Sequence, residues 1–219
     1  MIITYNSLTC VVIGFIFYPE VKIMLSRKTY FIREHVGVFK LSDTYDILDP
    51  ETHAQLGIAK EKPGGLIHVL RFLVEKRMLP TKVFVYEGED FDDPSKLLFS
   101  IQRGFTFLRS KVDICDANGV VLGWLKSKLF SLGGAFYVYD AQGNEVAFVQ
   151  GNWVGWTFKF LDKDQNEIGT ITKKWAGVGK EMFTSADNYM IALNDEPSPA
   201  KAILMLAAGL AVDIIYKER

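Results

Sequence analysis

Apolar and polar residues alternate in short runs along most of the chain after Thr29. Three runs, VDICDANGVVLGWL, FYVYDAQGNEVAFV and FKFLDKDQNEIGTI, repeat one pattern, and YDILDPETHAQLGI is a more distant copy that turns after Asp49. Alternation with a period of two is typical of a strand with one buried face. The three closer copies turn at Asp116, Asp140 and Asp162, so the sequence predicts antiparallel hairpins that recur every 22 to 24 residues.

The recurring aspartates are predicted to begin turns rather than to act in catalysis. An aspartate side chain accepts hydrogen bonds from backbone N–H groups in Asx-type turns, and Asn118-Gly119 supplies the positive φ angles of a tight hairpin. Each aspartate stands between two alternating runs, which favours the structural role. Many short strands at such regular spacing predict a mostly β fold, either a barrel or a sandwich.

One segment departs from the strand pattern and predicts a helix. LIHVLRFLVEKRML places Leu66, Leu70, Leu73 and Val74 on one face, and Pro80 ends the segment. A membrane-binding helix would carry more basic residues on its polar face. The segment is therefore predicted to pack as an amphipathic helix against the sheet.

The chain closes with SPAKAILMLAAGLAVDIIYKER, which is uninterruptedly apolar only from Ala202 to Val212. A membrane span needs roughly 20 apolar residues. A longer span would include Lys201 and Asp213, and a charge near the bilayer centre costs about 2.5–3.5 kcal/mol. A helix that is apolar on every side can instead be buried in a large core, and a closed sheet can surround such a helix. Pro199 to Tyr216 is therefore predicted to be the central helix of a barrel, and a single-pass anchor is the alternative.

Residues 1–23 precede the regular pattern and are predicted to be an extension to a single barrel domain at 24–219. The apolar run LTCVVIGFIFY in this extension is too short to span a bilayer. It also lacks the basic region and cleavage site of a secretory signal. A membrane-contacting anchor is the alternative interpretation of this extension.

Composition excludes several classes of function. Net charge is −1, so no global field draws the protein to nucleic acid or anionic lipid, and we predict no nucleic-acid partner. The two cysteines, Cys10 and Cys115, make no disulfide framework, which indicates a reducing compartment and a cytoplasmic protein. The motifs GxSxG, HExxH and GxxxxGK(S/T) are absent, so we predict no enzymatic activity, with a hydrolase of unrecognised site geometry as the alternative.

Two parts of the sequence resemble a known family. GTITKKWAGVGKEMFTSADNYMIAL, followed by KAILMLAAGLAVDIIYKE, resembles the closing region of the phospholipid scramblases. YFIREHVGVFKLSDTYDILD resembles the opening of their bacterial relatives and of LURP-one-related proteins. The resemblance covers roughly residues 29–217 and implies a tubby C-terminal-like fold, in which a closed antiparallel barrel of twelve strands surrounds a hydrophobic C-terminal helix.

The resemblance implies a protein that acts at phospholipid membranes, through lipid binding or calcium-linked bidirectional translocation of lipids. It favours a peripheral position at an anionic phospholipid surface, and it indicates no particular protein partner. The same fold also serves in other roles. The alternative is a soluble tubby-like interaction or scaffold module without lipid activity.

The resemblance also implies a calcium segment with the pattern Asp-Ala-Asp-Asn-aromatic and further acidic residues after it. Ser185 and Ser198 stand where two of the expected carboxylates would be. Since Ca²⁺ takes six to eight oxygen ligands, the loss of two carboxylates predicts weak binding, and a polar turn is the alternative. The implied ligands are Asp187, Asn188, Asp195 and Glu196.

A local cluster of positive charge is predicted on the hairpin VDICDANGVVLGWL. Alternation places Arg109 and Lys111 on the outer face together with Lys126 and Lys128. One register sets Arg109 opposite Lys126, and the other sets Lys111 opposite Lys126 and Arg109 opposite Lys128. Like charges directly across a strand pair are destabilising, so a chain that carries them is a candidate to hold an anion.

An aromatic residue on the same face points to lipid as the source of that anion. Trp124 suits the boundary between headgroups and water, where amphipathic rings are favoured. The alternative is a solvated face of long side chains. The residues predicted to contact anionic headgroups are Arg103, Arg109, Lys111, Trp124, Lys126 and Lys128.

Overall fold

The computed structural model describes residues 22–35, 43–62, 79–104, 111–128, 134–152, 154–173 and 188–216. In this part of the chain, twelve strands close into an antiparallel barrel, which confirms the predicted fold class. The strands are β1 (Thr29–Glu34), β2 (Thr44–Leu48), β3 (Gln55–Glu61), β4 (Thr81–Glu87), β5 (Leu97–Arg103), β6 (Lys111–Asp116), β7 (Val121–Ser127), β8 (Ala135–Asp140), β9 (Glu145–Asn152), β10 (Thr157–Leu161), β11 (Glu167–Thr172) and β12 (Tyr189–Leu193). The helices are α1 (Lys22–Leu25), a 3₁₀ helix (Pro94–Lys96) and α2 (Pro199–Tyr216).

Each strand pairs with its neighbours in sequence, and β1 closes the barrel by pairing with β12. In that last pair, Tyr30 lies opposite Ile191 and Ile32 lies opposite Tyr189, and all four side chains are buried. A closed sheet leaves no unpaired edge strand. The hydrogen-bonding capacity of all twelve strands is therefore used within the chain.

The repeated aspartates begin tight turns, as predicted. The Asp116 side chain accepts hydrogen bonds from the backbone N–H groups of Asn118 and Val120, at 2.9 and 2.8 Å. Asp140 and Asp162 accept the equivalent pairs of bonds. The third residue after each aspartate has a positive φ, namely Gly119, Gly143 and Gln165. Hydrogen bonds from the side chain and backbone of Asn144 lower the pKa of Asp140, and those from the backbone and side chain of Asn166 lower the pKa of Asp162, so both aspartates stay ionised and keep accepting.

The chain direction sorts the connections into two ends of the barrel. Because neighbouring strands are antiparallel, the turns that follow Asp49, Asp116, Asp140 and Asp162 lie together, with residues 88–96 and 194–198, at what we call the turn end. The odd-numbered strands all finish at the opposite end, which we call the loop end. α2 starts at the turn end and runs through the barrel towards the loop end.

The C-terminal helix fills the barrel. α2 has the predicted bounds, and Ala207, Ala208, Leu210 and Ala211 are fully buried. Gly123 of β7 has no side chain where Leu204 of α2 packs, and a Cβ there would lie 2.7 Å from Leu204 Cδ2. None of the helices in the described segments is both long and apolar enough to cross a bilayer.

The acid inside α2 has a partner on the barrel wall. Asp213 is buried, and the Tyr45 hydroxyl donates a hydrogen bond of 2.9 Å to its Oδ2. Burial, with the Asp213 carboxylate next in importance, raises the pKa of Tyr45 far above its usual range. Tyr45 therefore stays protonated and holds the end of α2 against β2.

The structure describes the start of the chain and the segment of the predicted amphipathic helix only in part. α1 contributes Met24 to the core, and the Tyr30 hydroxyl donates a hydrogen bond of 3.0 Å to the Met24 carbonyl. Residues 1–21 and the helix predicted over residues 66–79 lie outside the described residues, except for Leu79, which is buried. The division into an extension at 1–23 and a domain at 24–219 stays a prediction.

Gly209→Leu is expected to destabilise the fold by about 1–3 kcal/mol because it overpacks the core. A Cβ on Gly209 would lie 2.8 Å from Ile191 Cγ1, so the Ile191 side chain would have to move. Gly104→Leu is the matched control, since a Cβ there has no heavy atom within 4 Å. Urea denaturation measures both free energies of unfolding. Equal stability of the two variants, or a soluble folded chain truncated before Pro199, would contradict the role assigned to α2.

Candidate functional site

The outer face of β6 and β7 has the second of the two predicted registers. Lys111 lies opposite Lys126, and a register shift between Ile114 and Cys115 sets this pairing. Lys126 and Lys128 are exposed, and Trp124 is partly exposed on the same face. Two like charges therefore face each other across the strand pair, which costs energy unless an anion or a neighbour compensates. Arg109 lies outside the described residues.

An aromatic cluster extends this face across β8 and β9. Trp124 stacks on Tyr139 with a centroid separation of 5.6 Å, and Tyr137 lies 4.7 Å from Phe148 and 6.2 Å from Tyr139. Burial, followed by the Glu145 carboxylate and Tyr137, raises the pKa of Tyr139. Tyr139 is therefore a neutral phenol at physiological pH and a potential hydrogen-bond donor.

The lysines of this face differ in how far neighbouring groups neutralise them. Lys111 Nζ lies 2.7 Å from the Asp113 carboxylate and 5.1 Å from the centre of the Trp124 ring. Lys128 Nζ lies 5.2 Å from the centre of the Phe148 ring, where its charge is retained. Since Lys111 has a carboxylate partner, Lys126 and Lys128 contribute most of the face's positive potential.

The same arrangement continues around the loop end. Lys82 lies over the Phe84 ring, at 4.9 Å from its centre, and Lys173 lies over Trp156 at 4.5 Å. Cation–π contacts hold an ammonium group in place without removing its charge. Lys62 differs from them, because its Nζ lies 3.2 Å from the Tyr86 hydroxyl and 3.8 Å from the Asp92 carboxylate, which offsets its charge. The sequence prediction missed Lys82 and Lys173. We call the whole set the lysine belt, and its members are Lys82, Lys111, Lys126, Lys128 and Lys173.

Arg103 does not belong to this exposed face, which corrects its predicted position. Its side chain is buried, and Nη2 donates hydrogen bonds to the Leu79 carbonyl at 3.2 Å and to Thr81 Oγ1 at 3.0 Å. Arg103 pairs with Thr81 and Val112, which are both buried. It therefore serves the packing at the loop end of the barrel and is withdrawn from the headgroup contacts.

The turn end has the opposite charge. Acidic residues outnumber basic ones in its described turns, where the basic residues include Arg27, Lys96 and Lys163. The small net charge of the whole chain therefore conceals a separation of charge along the barrel axis. The acidic residues are Asp49, Glu51, Glu89, Asp90, Asp92, Asp93, Asp116, Asp140, Asp162, Asp164, Asp195 and Glu196.

A separate ionic cluster on β1–β3 is internally satisfied. The Asp46 carboxylate accepts hydrogen bonds from Arg33, His35 and Gln55, at 2.7, 2.8 and 3.1 Å. Burial alone would raise the pKa of Asp46, but these donors outweigh it and hold that pKa below the usual value. The carboxylate is thus fully engaged by its neighbours, so this cluster is structural.

The described residues among the implied calcium ligands lie at the two ends of β12. Asn188 is buried at the loop-end start of β12, whereas Asp195 and Glu196 are exposed beyond its other end. A strand rises about 3.3 Å per residue, so roughly 20 Å separates the two groups. Ligand oxygens lie within about 2.6 Å of a bound Ca²⁺, so one ion cannot contact both. Asp187 lies outside the described residues, and within the described part of the chain no three acidic, histidine or cysteine side chains cluster as a metal site.

The described site offers anion binding and aromatic contact. Its lysines supply charge, Tyr139 supplies a hydroxyl, and Trp124 supplies an amphipathic ring. The thiol of Cys115 is buried, and burial raises its pKa, so it is a poor nucleophile. These side chains suit recognition of a charged surface.

Comparison with known proteins agrees with the fold and with the resemblance seen in the sequence. Residues 26–219 match the family model described as Scramblase. Neither the curated proteins nor the solved structures include a significant match to the chain. The family match covers the barrel and α2 together, and the chain therefore belongs to the Scramblase family.

Proposed function

We propose that this protein acts at phospholipid membranes, where the lysine belt contacts anionic headgroups. The observation that carries the proposal is the exposure of Lys126 and Lys128 on the face that also holds the partly exposed Trp124. An anionic headgroup would offset the charge of these two lysines, and the indole ring would lie at the headgroup boundary. The combination of charge and aromatic surface favours a lipid surface over a free anion.

The separation of charge supports one orientation on the membrane. Each lysine near an anionic bilayer contributes about 1 kcal/mol of attraction. The acidic turn end would be repelled by the same surface. The protein therefore docks with the lysine belt towards the lipid and with the turn end away from it.

Translocation of phospholipids between leaflets is the activity that we propose for the docked protein. α2 fills the barrel, and its residues from Leu204 to Val212 are almost completely buried. A headgroup thus has no open route through the barrel interior. Lipid movement would take place along the outer face or through local disturbance of the bilayer.

Lys126→Glu combined with Lys128→Glu is expected to weaken binding to vesicles that contain phosphatidylserine. Loss of two cations, at about 1 kcal/mol each, corresponds to roughly a thirtyfold weaker partition at low salt, and repulsion of the two added carboxylates weakens it further. Sedimentation with vesicles at low and high salt measures the effect, which high salt should reduce. Thermal stability is expected to change little, because both side chains are exposed.

Lys96→Glu combined with Lys163→Glu is the matched control. It makes the same change of charge at two exposed lysines of the turn end. Equal loss of binding in both double variants would show a dependence on net charge alone. Unaltered binding of the Lys126 and Lys128 variant would remove this face from the site and favour the scaffold alternative.

Reconstituted protein is expected to exchange fluorescent phospholipids between the leaflets of vesicles. Dithionite quenching of labelled lipid, with and without Ca²⁺, measures the exposed fraction over time. The Lys126 and Lys128 double variant should lower the rate at limiting protein concentration because less protein docks. Lipid binding without any exchange would restrict the function to lipid recognition.

Calcium is expected to bind no more tightly than about the millimolar range. Two expected carboxylates are serines, and Asn188 lies at the opposite end of β12 from Asp195 and Glu196. Isothermal titration calorimetry checks this, with Asp195→Ala as the comparison for Asp187→Ala. Micromolar binding that Asp187→Ala abolishes would contradict the prediction.

A further inference from the structure

The turn between β9 and β10 presents an apolar side chain at the loop end. Val154 is 98% exposed, whereas Val120 and Val121, the other large hydrophobic residues that are exposed in the described part of the chain, are 60% and 40% exposed. Val120 and Val121 lie at the turn end, next to Asp116. Val154 therefore combines nearly complete exposure with a position at the basic end of the barrel.

Hydrogen bonds within the turn fix the position of Val154. Asn152 Oδ1 accepts a hydrogen bond of 2.9 Å from the Val154 N–H, and Thr157 Oγ1 donates one of 3.3 Å to the Gly155 carbonyl. Trp156 has a φ of 44°, in the left-handed region that costs a non-glycine residue about 1–3 kcal/mol. The hydrogen bonds to Val154 and Gly155 maintain this conformation, so Val154, at the tip of the turn, is already held in position in the free protein.

Trp156 anchors the turn to the barrel wall. Its ring lies 4.9 Å from Tyr189 and 5.8 Å from Phe158, both of which are buried. The Lys173 N–H donates a hydrogen bond of 3.3 Å to the Trp156 carbonyl, and Lys173 Nζ lies 4.5 Å from the ring centre. An ammonium group thus stands beside the base of the turn while Val154 projects from it.

The surrounding charge indicates what the tip would contact. β7 and β9 run in the same direction, so Lys126 and Lys128 lie at the same end of the barrel as Val154. Lys173 flanks the tip on the β11 side. An apolar tip among cations complements an anionic bilayer, in which headgroup charge overlies an apolar layer.

We propose that the β9–β10 turn inserts Val154 into the interfacial layer of an anionic bilayer and so fixes the loop end of the barrel against the membrane. This inference rests on the proposed function, because it requires docking on lipid. It adds a second, apolar contribution to binding. It also defines which end of the barrel enters the lipid.

Val154→Ser and Val120→Ser form a matched pair, since each replaces an exposed valine by a small polar residue without changing charge. Binding is measured to vesicles of phosphatidylcholine and phosphatidylserine. Val154→Ser is expected to weaken the partition about tenfold, and Val154→Leu to strengthen it roughly threefold, in line with the apolar area buried. Val120→Ser is expected to bind like the unchanged protein. Thermal melting verifies that all three variants are folded.

Insertion is measured directly with an environment-sensitive NBD label. A cysteine is placed at Val154 or, as control, at the exposed Gln142 of the turn end, in full-length protein with Cys10→Ser and Cys115→Ala. The label at position 154 is expected to shift to the blue on vesicle binding and to be quenched by shallowly brominated lipids. The label at position 142 is expected to show neither change.

The outcomes separate this inference from the function on which it rests. Loss of vesicle binding in the Lys126 and Lys128 double variant supports docking through the lysines. If, in addition, Val154→Ser binds vesicles as tightly as Val120→Ser and the emission of the label at position 154 does not shift, insertion of Val154 is overturned while docking stands. A shift at position 142 instead of 154 overturns the proposed orientation. Failure of the unchanged protein to bind anionic vesicles overturns both the inference and the proposed function.

Discussion

The apolar circumference of α2 must be kept from water, and the architecture follows from this constraint. A sheet with free edges could cover one side of such a helix, whereas a closed barrel covers all of it. The wall approaches the helix closely where glycine removes a side chain, at Gly123 beside Leu204 and at Gly209 beside Ile191. Asp213 is the buried acid of this helix, and Tyr45 meets it with a hydrogen bond from β2.

A filled interior leaves recognition to the outer surface, and the turn chemistry decides how charge is distributed there. Tight turns between antiparallel strands use aspartate as an acceptor for backbone N–H groups, so Asp116, Asp140 and Asp162 collect at one end. Because the net charge of the chain is nearly zero, the lysines that offset these aspartates must lie away from the turn end. The polarity that we assign to membrane docking thus arises in part from the requirements of folding.

The sequence determined the repeated hairpins and the bounds of α2, because alternation and an apolar circumference are local properties. The sequence left two registers open for the pairing of β6 with β7, because both registers place the same residues on the outer face of the barrel. Only the bulge after Ile114 selects one of them. The inward position of Arg103 could have been predicted from alternation, because the period of two places Arg103 on the same inner face of β5 as Phe99 and Ile101. The roles of Lys82 and Lys173 could not be predicted from the sequence, because they depend on which strand ends lie together, and only the topology of the barrel shows that.

Closure of the barrel by β1 and β12 has a consequence for biosynthesis. The ribosome releases β1 before the other eleven strands, whereas its partner strand and the helix that fills the interior follow the rest of the barrel. Until then the strands expose apolar inner faces and unpaired edges, and contacts so distant in sequence form slowly. The nascent chain therefore exposes aggregation-prone surface until α2 has been made. A premature stop codon just before α2 would leave that surface permanently uncovered.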